Sequence, residues 1–143
     1  MRVVLAADHG GVQLKDHLAQ RLRDHGHSVE DLGTHGGESV DYPDFAHAVA
    51  NSISGASADR GILVCGTGQG MAMSANKIPG VRAGVVSDVF SARMIVAHNN
   101  AQVLCLGARV LGSSLAESVV DAFITAEFEG GRHGRRVGKI EPS

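Results

Sequence analysis

The chain has 143 residues, 43% apolar but only 3% aromatic, with no Trp and a formal net charge of −2. That length suits one domain with an aliphatic core of Val, Ile, Leu and Ala. The charge gives no field favouring nucleic acid or an anionic membrane, and no apolar run reaches the ~20 residues of a membrane span.

Arg2 to Ala7 reads as a strand buried on both faces, reached with no signal peptide before it. Asp8-His9-Gly10-Gly11 is a turn, with Asp8 the expected cap of the next helix. Leu14, Leu18 and Leu22 mark one helix face. Gly26 ends that helix, and Ser28 to Leu32 is a second strand. A polar loop from Gly33 to Pro43 leads to a helix over Asp44 to Ile53. Gly61 to Cys65 is the third strand, followed by a glycine loop and a helix from Met71 to Lys77. Val81 to Val86 is the fourth strand. The next helix runs from Asp88 to Ala97, capped by Ser87 or Asp88. Gln102 to Leu106 is the fifth strand and Ser113 to Glu127 a long helix. From Gly130 the chain is glycine-rich and basic, a flexible or turning segment. Strands alternating with helices predict an α/β fold, a five-stranded parallel sheet with helices on both faces. Ligands of such sheets bind beyond the carboxyl ends of the strands.

Cys65-Gly66-Thr67-Gly68-Gln69-Gly70 is the most informative stretch. It sets a thiol where a buried strand ends and a helix begins. Alternate glycines let backbone N–H groups turn towards one point, which favours an anion. The same helix terminus favours thiolate over thiol. The pattern is neither a dinucleotide fingerprint nor a P-loop. A tight turn around a small buried cysteine is the competing reading, and Thr67 tilts the balance, since its hydroxyl can donate to a bound oxygen. A polarised cysteine beside an anion cradle points to proton abstraction from an anionic substrate. Removing a proton α to a carbonyl needs such a base plus a cradle for the oxyanion that forms.

The other candidates are less specific. Asp8 and His9 at a strand end can bind a polyol and a phosphate. His98 near a helix C-terminus can serve as a general acid or simply end the helix. Arg132, Arg135 and Arg136 match phosphate geometry, and Arg109 could join them; a solvated tail is the bland alternative. The remaining histidines are scattered, no carboxylate or cysteine completes a ligand set, and no metal site is expected. Cys65 and Cys105 form no CxxC pair, which suits a reducing cytosol. A non-enzymatic nucleotide-binding module of the universal-stress type fits the length and strand order, but gives no reason for the Cys65 loop.

The motifs Ala7-Asp8-His9-Gly10, Asp41-Tyr42-Pro43, Cys65-Gly66-Thr67-Gly68, Ser74-Ala75-Asn76-Lys77, Ser91-Ala92, His98-Asn99, Gly107-Ala108-Arg109 and Gly130-Gly131-Arg132-His133 stand in one order. In order and spacing, from Val3 to Val137, the chain resembles the type B ribose-5-phosphate isomerase family, whose relatives include galactose-6-phosphate and allose-6-phosphate isomerases. The resemblance implies a Rossmann-like three-layer sandwich and cofactor-free interconversion of a phosphorylated aldose and ketose, ribose 5-phosphate foremost. It implies a homodimer or homotetramer whose active sites draw on two subunits. By the same resemblance, Cys65 moves a proton between C2 and C1, while Thr67 and the amides of Gly66, Gly68, Gln69 and Gly70 stabilise an enediolate. His98 opens the sugar ring, with Asp8, Tyr42 and Asn99 nearby. His9, Arg109, Arg132 and Arg136 hold the phosphate, so that the tail from 130 to 143 completes the site. One branch of the family carries a glutamate base just after the glycine loop. Here that position is Met71, which leaves the role to Cys65.

Overall fold

The computed structural model describes residues 1–141. Five parallel strands form one sheet: β1 (Arg2–Ala7), β2 (Ser28–Asp31), β3 (Arg60–Cys65), β4 (Ala83–Val85) and β5 (Val103–Gly107), in the order β2-β1-β3-β5-β4. The chain leaves β1 towards one side of the sheet to make β2, then returns past β1 to make β3. The crevice between β1 and β3 is therefore a topological switch point, where such sheets bind ligands. In this register Ala7 pairs with Val64, and Cys65 with Gly107. The residues that follow β1, β3 and β5 thus emerge side by side.

Among the described residues, six helices complete the architecture: α1 (Val12–Asp24), α2 (Tyr42–Ser54), α3 (Gln69–Ala75), α4 (Val89–Ala97), α5 (Ser113–Thr125) and α6 (Arg132–Gly138). Side chains of β1 alternate between two cores. Val3, Leu5 and Ala7 meet Leu18 and Leu22 of α1, Val96 of α4 and Phe123 of α5 on one face. Val4 and Ala6 meet Val49 of α2 and Met71 of α3 on the other. A sheet sealed on both faces needs continuous apolar strands, and Val103 to Leu106 are all fully buried. Among the described residues no helix is long and apolar enough to cross a membrane.

The element boundaries correct several expectations. Helix α2 begins at Tyr42 rather than Asp44, with Pro43 in its first turn, where a missing N–H costs nothing. Asp88 caps α4 by accepting from the Ser91 amide at 2.7 Å. Asp8 does not cap α1; the cap position is Gly11, and Asp8 Oδ1 accepts from the Gly10 amide at 2.9 Å. The basic segment from Gly130 is largely helical, as α6, with His133 buried on its inner side. Of the tail assigned to phosphate, Pro142 and Ser143 lie outside the described residues.

Candidate active site

Cys65 is the last residue of β3 and is 6% exposed. The chain turns directly at Gly68, whose backbone has φ +84°, a conformation that favours glycine. That turn brings the Gly68 amide back to donate to Cys65 Sγ at 3.0 Å. An N–H aimed at sulfur stabilises negative charge there. Burial, and then the neighbouring Cys65, push the Cys105 thiol up, so it stays protonated. Thr67 is exposed, and its Oγ1 accepts from the Gln69 amide at 3.3 Å, which leaves the hydroxyl hydrogen free to donate.

Three further elements close on this loop. The end of β1 delivers Asp8 and His9 across the crevice; a Cβ placed on Gly10 would lie 3.8 Å from the Gly66 amide nitrogen. His9 Nδ1 accepts from the Val40 amide at 3.2 Å, which ties the long polar loop to the site. Tyr42, at the start of α2, packs its ring onto Gly70, where a Cβ would sit 2.3 Å from the ring. Arg109 lays its stem over Gly66, and its amide donates to the Gly66 carbonyl at 3.1 Å. Cys65, Gly66, Thr67, Gly68, Gln69, Gly70, Asp8, His9, Tyr42 and Arg109 thus share the C-terminal edge of the sheet. A cavity of about 640 Å³ opens beside His9 and Gly10, between the starts of α1 and α5, and Cys65 does not line it.

His98, Asn99, Arg132 and Arg136 are elsewhere. His98 is the cap at the C-terminus of α4, a helix that has run back to the N-terminal edge of the sheet. The Asn99 and Asn100 carbonyls accept from Arg82, just before β4, at 3.2 and 2.9 Å. His98 stacks on His133 of α6, with centroids 4.1 Å apart and planes at 6°. Arg132 and Arg136 belong to the same short helix and are exposed. The six residues of β3 separate the two edges by about 17 Å at roughly 3.3 Å per residue. A single chain therefore holds two half-sets of the expected site at opposite ends of its sheet.

The model of the ribose/galactose isomerase family matches residues 3–140. The chain belongs to that family. Ribose-5-phosphate isomerase B of Escherichia coli is 43% identical over 139 residues, 97% of this chain and 93% of that one. The solved ribose-5-phosphate isomerase B of Clostridium thermocellum superposes with a TM-score of 0.97 at 51% identity, covering 98% of this chain and 95% of that one. The Mycoplasma genitalium enzyme, solved with bound ribulose 5-phosphate, gives a TM-score of 0.93 at 42% identity, over 97% and 93% of the two chains. Family membership disfavours the nucleotide-binding alternative.

Two further features of the N-terminal edge were not expected from the sequence. Glu129 brings its carboxylate beside both stacked histidines, 3.7 Å from His98 and 3.6 Å from His133. The Glu129-to-His133 spacing of four residues was the visible signal; the approach of His98 was not. Burial chiefly, then His98 and Arg132, hold the His133 imidazole below its usual range. Arg82 is the other omission, since it fixes the turn that carries His98 and Asn99.

Proposed function

We propose that the protein interconverts ribose 5-phosphate and ribulose 5-phosphate in active sites made by two copies of the chain. The observation that carries this reading is the Gly68 amide directed at Cys65 Sγ, at 3.0 Å. It supports Cys65 as the group that takes the proton from C2 and returns it to C1, since an N–H aimed at sulfur favours negative charge there. The developing enediolate oxygens would lie on the glycine-loop amides and the Thr67 hydroxyl. One such preorganised donor contributes about 3 kcal/mol to a transition state. Asp8 and Tyr42 would orient the sugar hydroxyls, and His9 and Arg109 would take one side of the phosphate.

The second copy would supply the rest. His98 and Asn99 would reach the ring oxygen for opening, and Arg132 and Arg136 would close on the phosphate from the other side. A dimer is the smallest assembly that joins the two half-sets, and a two-fold dimer joins them twice. A cytoplasmic setting suits a mechanism that needs Cys65 reduced, and both cysteines are free.

The test is Cys65→Ala, assayed on ribose 5-phosphate, with ribose 5-phosphate binding followed by thermal stabilisation. Turnover should fall by about 10³-fold or more, while stabilisation by the sugar phosphate persists. Near-normal turnover would remove Cys65 from the chemistry. In the wild-type enzyme, ribose 5-phosphate labelled with deuterium at C2 should lose label to water. Full retention at C1 would replace the proton transfer with a hydride shift. Equal trials on four- and six-carbon sugar phosphates rank the substrate.

A further inference from the structure

Three potential metal ligands converge at the N-terminal edge. The Nε2 atoms of His98 and His133 lie 3.7 and 3.6 Å from the same Oε1 of Glu129. All three donor atoms fall within 4.8 Å of one another. At these lengths neither imidazole is hydrogen-bonded to the carboxylate. Zinc holds imidazole nitrogen and carboxylate oxygen at about 2.0–2.2 Å, so the edges of a tetrahedral site measure about 3.3–3.6 Å. The two gaps to the carboxylate are therefore close to those of a coordination shell, and the third, between the imidazoles, is within 4.8 Å.

We propose that His98, Glu129 and His133 bind one first-row divalent cation, of which Zn²⁺ is the test case. Each ligand comes from a different segment: His98 ends α4, Glu129 lies between α5 and α6, and His133 begins α6. The Glu129 amide donates to the Ala97 carbonyl at 3.0 Å, which holds the Glu129 backbone next to His98. The rings are parallel, so their lone pairs run side by side and one ring must tilt to reach a shared ion. His98 has the room, with 40% of its side chain exposed against 10% for His133. The Glu129 side chain is 55% exposed, which leaves space for water as a fourth ligand. Two imidazoles and one carboxylate suit zinc, cobalt or nickel, whereas magnesium and calcium prefer oxygen alone. The charges of Arg132 and Arg136 reach this corner and oppose a cation, so their removal should tighten binding.

Resting on the function proposed above, the ion inhibits, because it occupies the group assigned to ring opening. The cation site itself does not depend on that reading. Calorimetric titration of chelator-treated, full-length protein with zinc chloride should give one ion per chain. The site should survive in Cys65→Ser, weaken tenfold or more in Glu129→Gln, and vanish in His133→Asn. Unchanged affinity in Glu129→Gln, or loss of the site in Cys65→Ser, overturns the proposal, the latter because zinc then sits on the thiolate. If His133→Asn fails to fold, the exposed Glu129 carboxylate still decides the matter. A cobalt titration adds a direct readout: a sulfur-to-metal band in the near ultraviolet refutes the site, and its absence alongside tetrahedral visible bands supports it. Zinc should also suppress turnover of ribose 5-phosphate, and chelation should restore it. Binding with the variant pattern above but without inhibition would keep the site and remove His98 from ring opening.

Discussion

The two edges of the sheet are built differently. At the C-terminal edge, strands give way to tight turns, and the functional groups sit within a few residues of the backbone that orients them. Cys65 is aimed by Gly68, Asp8 by Gly10 and Thr67 by Gln69. At the N-terminal edge the groups stand on helix ends, and distant residues hold them. His98 leans on His133 and Glu129, and the turn after it hangs from Arg82. The first edge is preorganised by local geometry, and the second by tertiary packing. On the function proposed above, a single chain holds its base and its acid about 17 Å apart, and a second copy would bring them together.

That comparison breaks most sharply on a mixing experiment. Cys65→Ala disables one edge and Arg132→Ala the other, and each pure variant should be nearly inactive. Unfolded together in equal amounts and refolded, half the dimers should be mixed. Each mixed dimer would hold one site with both lesions and one with neither, so about a quarter of wild-type activity should return. No recovery would mean that both half-sets serve within one protomer, against the separation of the two edges.

The edges also differ in how they are pinned. Lys15, in the first turn of α1, is fully buried, and its ammonium pairs with Asp31 at the end of β2 and with Asp16. Asp31 also accepts from the Gly33 amide at 2.9 Å. Asp31→Ala would leave a buried ammonium with a single, largely exposed partner. The expected loss is about 3 kcal/mol in urea unfolding, the usual cost of stranding one member of a buried pair. Lys15→Met together with Asp31→Leu should recover most of it. A loss below 1 kcal/mol in the single variant would mean that this pair behaves like a surface one.

How far the sequence reveals each edge follows from the same contrast. The Cys65 loop is legible because strand end, glycines and helix start are contiguous. The sheet is legible because both faces of each strand are apolar. Asp8 reads as a helix cap in the sequence, but it lies three positions before Gly11, where the cap falls, and its carboxylate takes the Gly10 amide instead. Helix α6 was hidden by its glycines: Gly130 and Gly131 take positive φ, as a turn would, while Gly134 and Gly138 dilute the helical signal. What docks the helix is burial of His133 against His98, a contact between residues 35 positions apart by number. Glu129 could not be paired with His98 for the same reason. Composition registers the residues but not which strand or helix end they share.

A finer probe of the first edge is Gly70→Ala. The new methyl group would meet the Tyr42 ring at 2.3 Å, and that ring is at the surface with room to swing away. Fold stability should change little. Turnover should drop several-fold, on the order of 1 kcal/mol in transition-state binding, because a displaced side chain costs orientation rather than chemistry. Full activity would show that Tyr42 only covers the loop.

The smallest effect belongs to the second edge. Arg2, entering β1, pairs with Asp59, just before β3, at 3.0 Å, and its amide donates to the same carboxylate at 2.8 Å. The Arg2 side chain and amide hold the Asp59 carboxyl down to about 2 from 3.8. A carboxyl depressed on folding stabilises the native state fully above its unfolded value. That contribution fades as pH falls from 3.8 towards 2. Both side chains are well exposed, 53% and 39%, so water and salt screen the pair. Arg2→Ala should therefore lower the melting temperature only slightly at neutral pH, and the gap from wild type should close between pH 4 and pH 2. A gap that widened over that interval would mean Asp59 is stabilised by something other than Arg2. The N-terminal edge would then be less dependent on its surface charges than its geometry suggests.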